Sequence, residues 1–539
     1  MRTTAKDGGA TTSVWTGASV PSYDTPPEPE TDVCIIGAGI AGLTTAFELA
    51  RRGTRVMVID DGPIGGGETG RTTAHLASAV DDRFSHLESK FGESGAKLMA
   101  ESHASAIDYI ETLVHELRID CDFQRVDGYL FAAPGAASDK TERELDRELA
   151  AARRAGLVAD KVARAPLPFD TGPAIRFGRQ AEFHPLRYLR GLAEAFVQLG
   201  GKIHTHVRAE RIEPGQPLAI KLADDRRILC RVAVDATNGA MTSPIKMSLR
   251  QAAYRSYVLA FDLEPGLVPH ALYWDTSDPY HYIRVARGEA GREMLLVGGA
   301  DHRVGQGEPA RAWLDLESWT RRWIPFAGDL VARWSGQIIE PADGPAHIGR
   351  SPDLEHVYLC TGDSGNGLTH GTIAGMIIPS LMRGHEPTWS AIYDPDRSHL
   401  RALGTLVKEA ASSASPYTDW LRGGDVGSTD DIRPGHGALV RRGLHMIAAF
   451  RDEAGTCHLR SATCPHLRGV VHWNEAEKTW DCPCHGSRFD AYGRVVNGPA
   501  STGLAHVDTP SDARPPARPP AERDDRHGYV GIHVPEDPA

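Results

Sequence analysis

The chain has 539 residues, 24% of them charged and 41% hydrophobic, with a formal net charge of −12. That length exceeds one ordinary core and predicts two or three domains, while the negative balance argues against nucleic acid or an anionic membrane as partner. The eight cysteines form no evident disulfide framework, no apolar signal region opens the chain, and no run of about eighteen apolar residues occurs, so the expectation is a cytoplasmic protein without a membrane span.

Residues 1–30 are rich in Gly, Thr, Ser and Pro, and carry too little apolar surface to offset the entropy of ordering; disorder is expected there. An apolar strand at 32–36 then runs into Gly37-Ala38-Gly39-Ile40-Ala41-Gly42, a helix-forming stretch at 43–52 and a second apolar strand at 54–60. Strand, glycine turn, helix and strand, with Asp60 placed 23 positions after Gly37, are the parts of a dinucleotide site. The glycines let backbone approach a pyrophosphate at the helix N-terminus, and Asp60, with Asp61 beside it, is expected at the ribose.

Helical patterns follow at 85–117, 139–155 and 185–199, and a strand at 202–207. An extended, β-rich block spans 252–297 and holds Tyr280, His281, Tyr282 and Arg284, with Asp301 and His302 just beyond. Alternation in YHYIR reads equally as a substrate-facing strand or as a strand with its polar face in solvent. Later, residues 357–372 (VYLCTGDSGNGLTHGT) give a strand and a Gly-rich turn ahead of a helix expected at 372–383, whose positive end points at whatever precedes it.

Three of these segments resemble the flavin-contacting parts of the D-amino-acid oxidase and glycine oxidase superfamily: residues 63–76 (PIGGGETGRTTAHL), 232–238 (VAVDATN) and 357–372. The resemblance covers residues 31–397 and implies an FAD-binding Rossmann-type α/β domain with an inserted β-rich substrate domain. It implies FAD contacts from Ile40 and Ala41 with the glycine turn, from Gly70, Arg71, Thr72, Thr73 and Ala74, from Val207, Thr237 and Asn238, and from Gly362, Asp363, Gly365, Asn366, Gly367, Leu368 and Thr369. Arg71 and His75 are candidates for the active-site wall, and Arg284 for a carboxylate clamp.

A linker at 398–431, with helices expected at 398–414 and 419–421, leads to a change of pattern. From 432 to 506 the chain reads as short strands with Gly turns, a small antiparallel β domain, and 507–539 as a Pro- and charge-rich tail with GYVGIHV as a candidate terminal strand. Within the β domain, Cys464-Pro465-His466 is followed after 15 residues by Cys482-Pro483-Cys484-His485. One cysteine and one histidine per loop suit a 2Fe–2S cluster, with thiolates on one iron and imidazoles on the other. Cys₂His₂ is also a zinc set, which is the competing reading.

CPHLRG and DCPCHGSRFD resemble the two cluster loops of Rieske domains, and the whole order resembles FAD-dependent oxidoreductases with a C-terminal Rieske domain. That resemblance implies FAD and a 2Fe–2S cluster in one chain, hydride transfer to flavin from a small amine or amino acid, and electrons passed through the cluster to an unknown acceptor. Reductase chemistry in the reverse direction and a non-catalytic electron carrier are the alternatives. Two departures stand out. Gly469 occupies the place where many such domains carry a cysteine paired with that at 484, so Cys484 is expected to stay a thiol. Phe489 stands where the respiratory type has a tyrosine donating to a cluster sulfur, while Ser487 keeps its hydroxyl.

Overall fold

The computed structural model describes residues 9–136, 138–242, 244–288, 291–397, 419–420 and 423–507. The helix expected at 398–414 and the candidate strand GYVGIHV lie outside them.

The first strand, Glu30–Ile36, is central to a sheet whose order is His347–Arg350, Val357–Thr361, Arg227–Asn238, Glu30–Ile36, Val56–Ile59 and Lys202–His204. Its neighbours Arg227–Asn238 and Val56–Ile59 both run parallel to it. Parallel strands covered on both faces read as continuous apolar runs, and Cys34, Ile35, Val58 and Ile59 are fully buried. The helix Ile40–Ala50 leaves the first strand through Gly37, whose φ of +112° suits glycine alone. A Cβ at Gly42 would lie 1.9 Å from the Gly37 carbonyl oxygen, so the turn and the helix need both glycines.

A second sheet holds the block at 252–297 and more. Its order is Leu330–Pro341, Gln251–Leu263, Glu293–Arg303, Tyr282–Arg287, Leu272–Asp275, Gln124–Phe131, Ala174–Glu182 and His75–Leu76. Strands from far upstream complete it, so the substrate side is assembled from four stretches of chain. The helices Phe84–Glu116, Asp139–Arg154 and Pro185–Gln198 fall within two residues of expectation. The helix Gly367–Leu381 begins five residues earlier than the sequence suggested, so Gly367, Leu368 and Thr369 form its first turn.

The C-terminal domain is two small antiparallel sheets, His436–Arg442, His445–Arg451, Cys457–Ser461 and His472–Asn474, Thr479–Asp481, Arg488–Asp490, Val495–Asn497. No helix among the described residues is long and apolar enough to cross a membrane.

The expected disorder of residues 1–30 is corrected from Gly9 onward. Trp15 is buried, at 2% exposure, and its indole Nε1 donates to the Thr72 carbonyl at 2.6 Å. Composition undervalued this stretch because a single tryptophan supplies much of the missing apolar area.

Candidate cofactor sites and their junction

The segment after the second strand is held from behind by its carbonyls. Ser13 Oγ donates to Gly70 O at 2.5 Å, Trp334 Nε1 to Arg71 O at 2.7 Å, and Trp15 Nε1 to Thr72 O at 2.6 Å. Arg284 Nη1 then donates to Thr73 O at 3.1 Å and Ala74 O at 2.7 Å. Five consecutive carbonyls are thus taken by protein donors, which fixes the loop and turns its other side toward a cavity of about 360 Å³.

That cavity collects most of the expected cofactor residues. Gly37, Gly39, Ile40, Ala41, Asp60, Asp61, Arg71, Thr72, Thr73, Val207, Thr237, Asn238, Asp363, Gly365, Asn366, Gly367, Leu368 and Thr369 line it; Gly42, Gly70, Ala74 and Gly362 are not among its lining residues. Asp60 Oδ2 accepts the Ala38 amide at 2.6 Å, tying the second strand to the glycine turn. Asp363 accepts from Asn238 Nδ2 at 2.7 Å and from the Ile339 amide at 3.0 Å, and burial pushes its carboxyl up to about 7. The helices starting at Ile40 and Gly367 both open on the cavity, and neither receives a hydrogen bond from its N-cap side chain. Asn366 Oδ1 is buried there without a partner. Two helix N-termini and a glycine turn on one cavity suit an anionic dinucleotide.

The candidate catalytic residues divide. His75 lines the cavity; burial, then the Arg284 charge, lowers its pKa to about 3, so the ring is neutral, and its Nε2 is buried without a hydrogen-bond partner. Arg71 lines the cavity but sends its guanidinium away, to Ser335 O at 2.7 Å and Thr11 O at 2.6 Å. Arg284 is not among the cavity's lining residues. It sits under the 73–74 loop, 3.4 Å from Glu182, with its guanidinium 5.7 Å from the Trp15 ring. Its expected role as a carboxylate clamp is therefore corrected to that of a loop support. Of the candidates Tyr280, Tyr282 and Arg284, only the two tyrosines reach the cavity.

Tyr280 donates to Asp81 at 2.8 Å, and Tyr282 shares a hydrogen bond with Ser256 at 2.7 Å. Asp81, missed in the sequence, opens on the cavity; enclosure by protein raises its pKa to about 6, and the neighbouring Asp82 charge adds to this against the Tyr280 hydrogen bond. His281 points elsewhere, bonded to Asp275 at 2.9 Å and stacked on Trp319. His302 bonds Tyr257 at 2.9 Å, and Asp301 stands behind Ser256, its carboxyl raised to about 7 by burial.

In the C-terminal domain the loops bring the expected ligands together in pairs. The Cys464 and Cys482 thiols are in hydrogen-bond contact, and the Ser487 hydroxyl reaches Cys464. The His466 and His485 rings stand perpendicular with centroids 5.1 Å apart, and His485 Nδ1 is buried without a partner. Among the described residues no three His, Cys, Asp or Glu side chains converge as a single ion requires. Two thiols beside two imidazoles is the donor set of a binuclear cluster. None of the eight cysteines is paired in a disulfide, Cys484 included, and a Cβ at Gly469 would lie 2.4 Å from Cys484 Sγ.

The cluster tip is pressed against the flavin-side domain. Gln337 Nε2 donates to Gly486 O at 3.1 Å, and His485 shares a small cavity with Asn238, Gly239 and Ile339, all three of which also line the large one. Beside this contact lies a buried ionic node. Glu477, from the C-terminal domain, accepts from Thr11 Oγ1 at 2.7 Å and from Ser335 Oγ, with Arg255 at 3.4 Å and Arg71 at 4.0 Å. Burial opposes its ionisation, yet the Arg255, Arg71 and Arg488 charges outweigh that and hold its carboxyl below the ordinary range. Asp481 and Arg488 pair alongside at 3.0 Å.

A family model for FAD-dependent oxidoreductases, DAO, matches residues 32–381, and one for the Rieske [2Fe-2S] domain matches residues 424–508. The chain belongs to the DAO family and carries a C-terminal Rieske domain. YhfW of Bacillus subtilis (strain 168), named for a Rieske 2Fe-2S iron–sulfur protein, is 33% identical over 92% of this chain and 96% of its own length. Gamma-glutamylputrescine oxidoreductase of Escherichia coli (strain K12) is 24% identical over 67% of this chain and 85% of its own. The fold is that of glycine oxidase from Geobacillus kaustophilus, with a TM-score of 0.59 at 18% identity over 69% of this chain and 100% of that one. The protein is thus an FAD oxidoreductase, and its two cofactors are FAD and a 2Fe–2S cluster.

Proposed function

We propose that this oxidoreductase oxidises a small amine, and that the electrons leave through its own Rieske cluster to an external acceptor. FAD supplies the two-electron oxidation of the amine-bearing carbon, and the cluster supplies one-electron steps. The observation that carries the reading is the contact at the cluster tip, where Gln337 donates to Gly486 O and His485 shares a small cavity with Asn238, Gly239 and Ile339, which also line the flavin-side cavity.

The substrate class is argued from the groups that face the cavity. Arg71 and Arg284, the two arginines nearest the flavin loop, are bonded to backbone carbonyls, so neither is poised to clamp a carboxylate. The Tyr280–Asp81 pair presents oxygen acceptors and developing negative charge, which attract an alkylammonium group. His75, kept neutral by burial and the Arg284 charge, lines the cavity with them. A relative's name, gamma-glutamylputrescine oxidoreductase, points the same way.

Anaerobic mixing of the purified holoenzyme with matched panels of amines and amino acids tests this, read as flavin bleaching and reduction of the cluster. Amines are expected to reduce both cofactors. Higher kcat/KM for amino acids than for their decarboxylated counterparts would overturn the substrate class, and flavin bleaching with a permanently oxidised cluster would overturn the electron route.

A further inference from the structure

We propose that FAD is held by both domains: residues 495–501 of the Rieske domain form a wall of the FAD cavity, and flavin release requires that wall to lift. The inference rests on FAD occupying the cavity and not on the substrate or the direction of electron flow.

All seven of those residues line the cavity. They span it from the expected ribose end to the return strand. At one end Arg208 bonds Asp61 at 2.6 Å and reaches the carbonyls of Val495 and Ser501 at 3.5 and 3.4 Å. At the other, backbone meets backbone, since a Cβ on Gly239 would lie 3.2 Å from Gly498 Cα. Between them Asn497 Nδ2 donates to Glu68 Oε1 at 3.0 Å, while Glu68 Oε2 accepts the Gln337 amide at 2.7 Å. Glu68 itself lines the cavity and lies three residues before Arg71, so one carboxylate joins the flavin loop, the strand Leu330–Pro341 and the Rieske wall.

The wall is fastened on its far side as well. Asn497 Oδ1 accepts from Arg488 Nη1 at 3.2 Å, and Arg488 is fully buried in the ionic node with Asp481 and Glu477. The Ala500 amide donates to Ser487 Oγ at 3.0 Å, and that hydroxyl also reaches the Cys464 thiol. A single side chain thus links the wall of one cofactor site to a ligand of the other. A ligand enclosed by two docked bodies leaves only through an opening of one against the other, so its release rate reports the docking free energy.

The test uses the full-length holoenzyme. In Asn497→Ala the contact to Glu68 is lost, and a hydrogen bond to a charged group is worth enough to predict FAD release about tenfold faster, read as the rise of free-flavin fluorescence after dilution. The cluster, followed by visible circular dichroism, is expected to be unchanged. FAD release at the wild-type rate with the cluster intact would overturn the proposal. Should the variant lose both cofactors, the wild type decides through hydrogen exchange of residues 495–501 in FAD-loaded and flavin-stripped protein. Slower exchange with FAD supports the wall, and equal exchange overturns it.

Discussion

The two cofactor sites are built on opposite plans. The cluster site is two loops 15 residues apart, and all four candidate ligands come from one small domain. The FAD cavity draws its lining from residues 36 to 501, including two sheets, two helix N-termini and a piece of the Rieske domain. A local site stands or falls with its own loops. A dispersed site depends on every docking that assembles it, so damage at the domain junction should reach FAD before it reaches iron.

The largest effect should come from the loops themselves. Cys482→Ser is expected to abolish the cluster, measured as iron content and the electron paramagnetic resonance of the reduced protein, while flavin stays bound. Loss of FAD in the same preparation would show that the flavin site depends on the cluster itself and not only on the docked wall at 495–501.

Next comes the node at the junction. Glu477→Ala leaves Arg71 and Arg255 buried without their anion, a change that typically costs about 3–5 kcal/mol, and the thermal midpoint of flavin release is expected to fall well before that of the cluster. The node also sets a pH dependence. A carboxyl whose folded pKa lies below its unfolded value, about 4.3, adds stability at every pH above that value and loses it as pH falls through the folded one. Flavin release should therefore accelerate in acid below about pH 4 in the wild type and lose that dependence in Glu477→Gln.

Gly39→Ala is a narrower probe. Within the fold the added methyl meets only Thr69 Oγ1, at 3.1 Å, so the chain should fold normally. It stands at the glycine turn, where backbone must approach the pyrophosphate, so FAD content should fall and cluster content should not.

What could be read in advance follows the same division. The cluster ligands lie within 22 residues, and strand, glycine turn and helix at 32–52 form one local unit, so spacing alone displayed both. The expectation that Cys484 stays unpaired came from the resemblance to Rieske domains, against which Gly469 stands out. Long-range partners were not legible. Trp15 gains its burial from Thr72 and Arg284, Glu477 its charge balance from Arg71 and Arg255, and Asn497 its place from Glu68. None of these contacts leaves a period or a motif. Arg284 shows the limit of periodicity: alternation in YHYIR left open which way the strand's polar face turns, and nothing in it reveals the loop carbonyls that take up the guanidinium.

The smallest expected effect lies inside the cluster site. Phe489 is fully buried in the same apolar cluster as Cys464 and Cys482 and donates nothing to sulfur. Hydrogen bonds to the sulfurs stabilise the reduced cluster, so Phe489→Tyr should raise its reduction potential without altering flavin content. An unchanged or lower potential would show that the ring at 489 does not face the sulfur.

The central claim, that electrons pass between the two sites within one chain, can be tested without knowing the substrate. Anaerobic light-driven reduction of the bound flavin, followed by the visible signal of the cluster, gives the rate of transfer directly. The account predicts a first-order rate independent of protein concentration. A rate proportional to protein concentration, or a cluster that stays oxidised while the flavin is reduced, would contradict it.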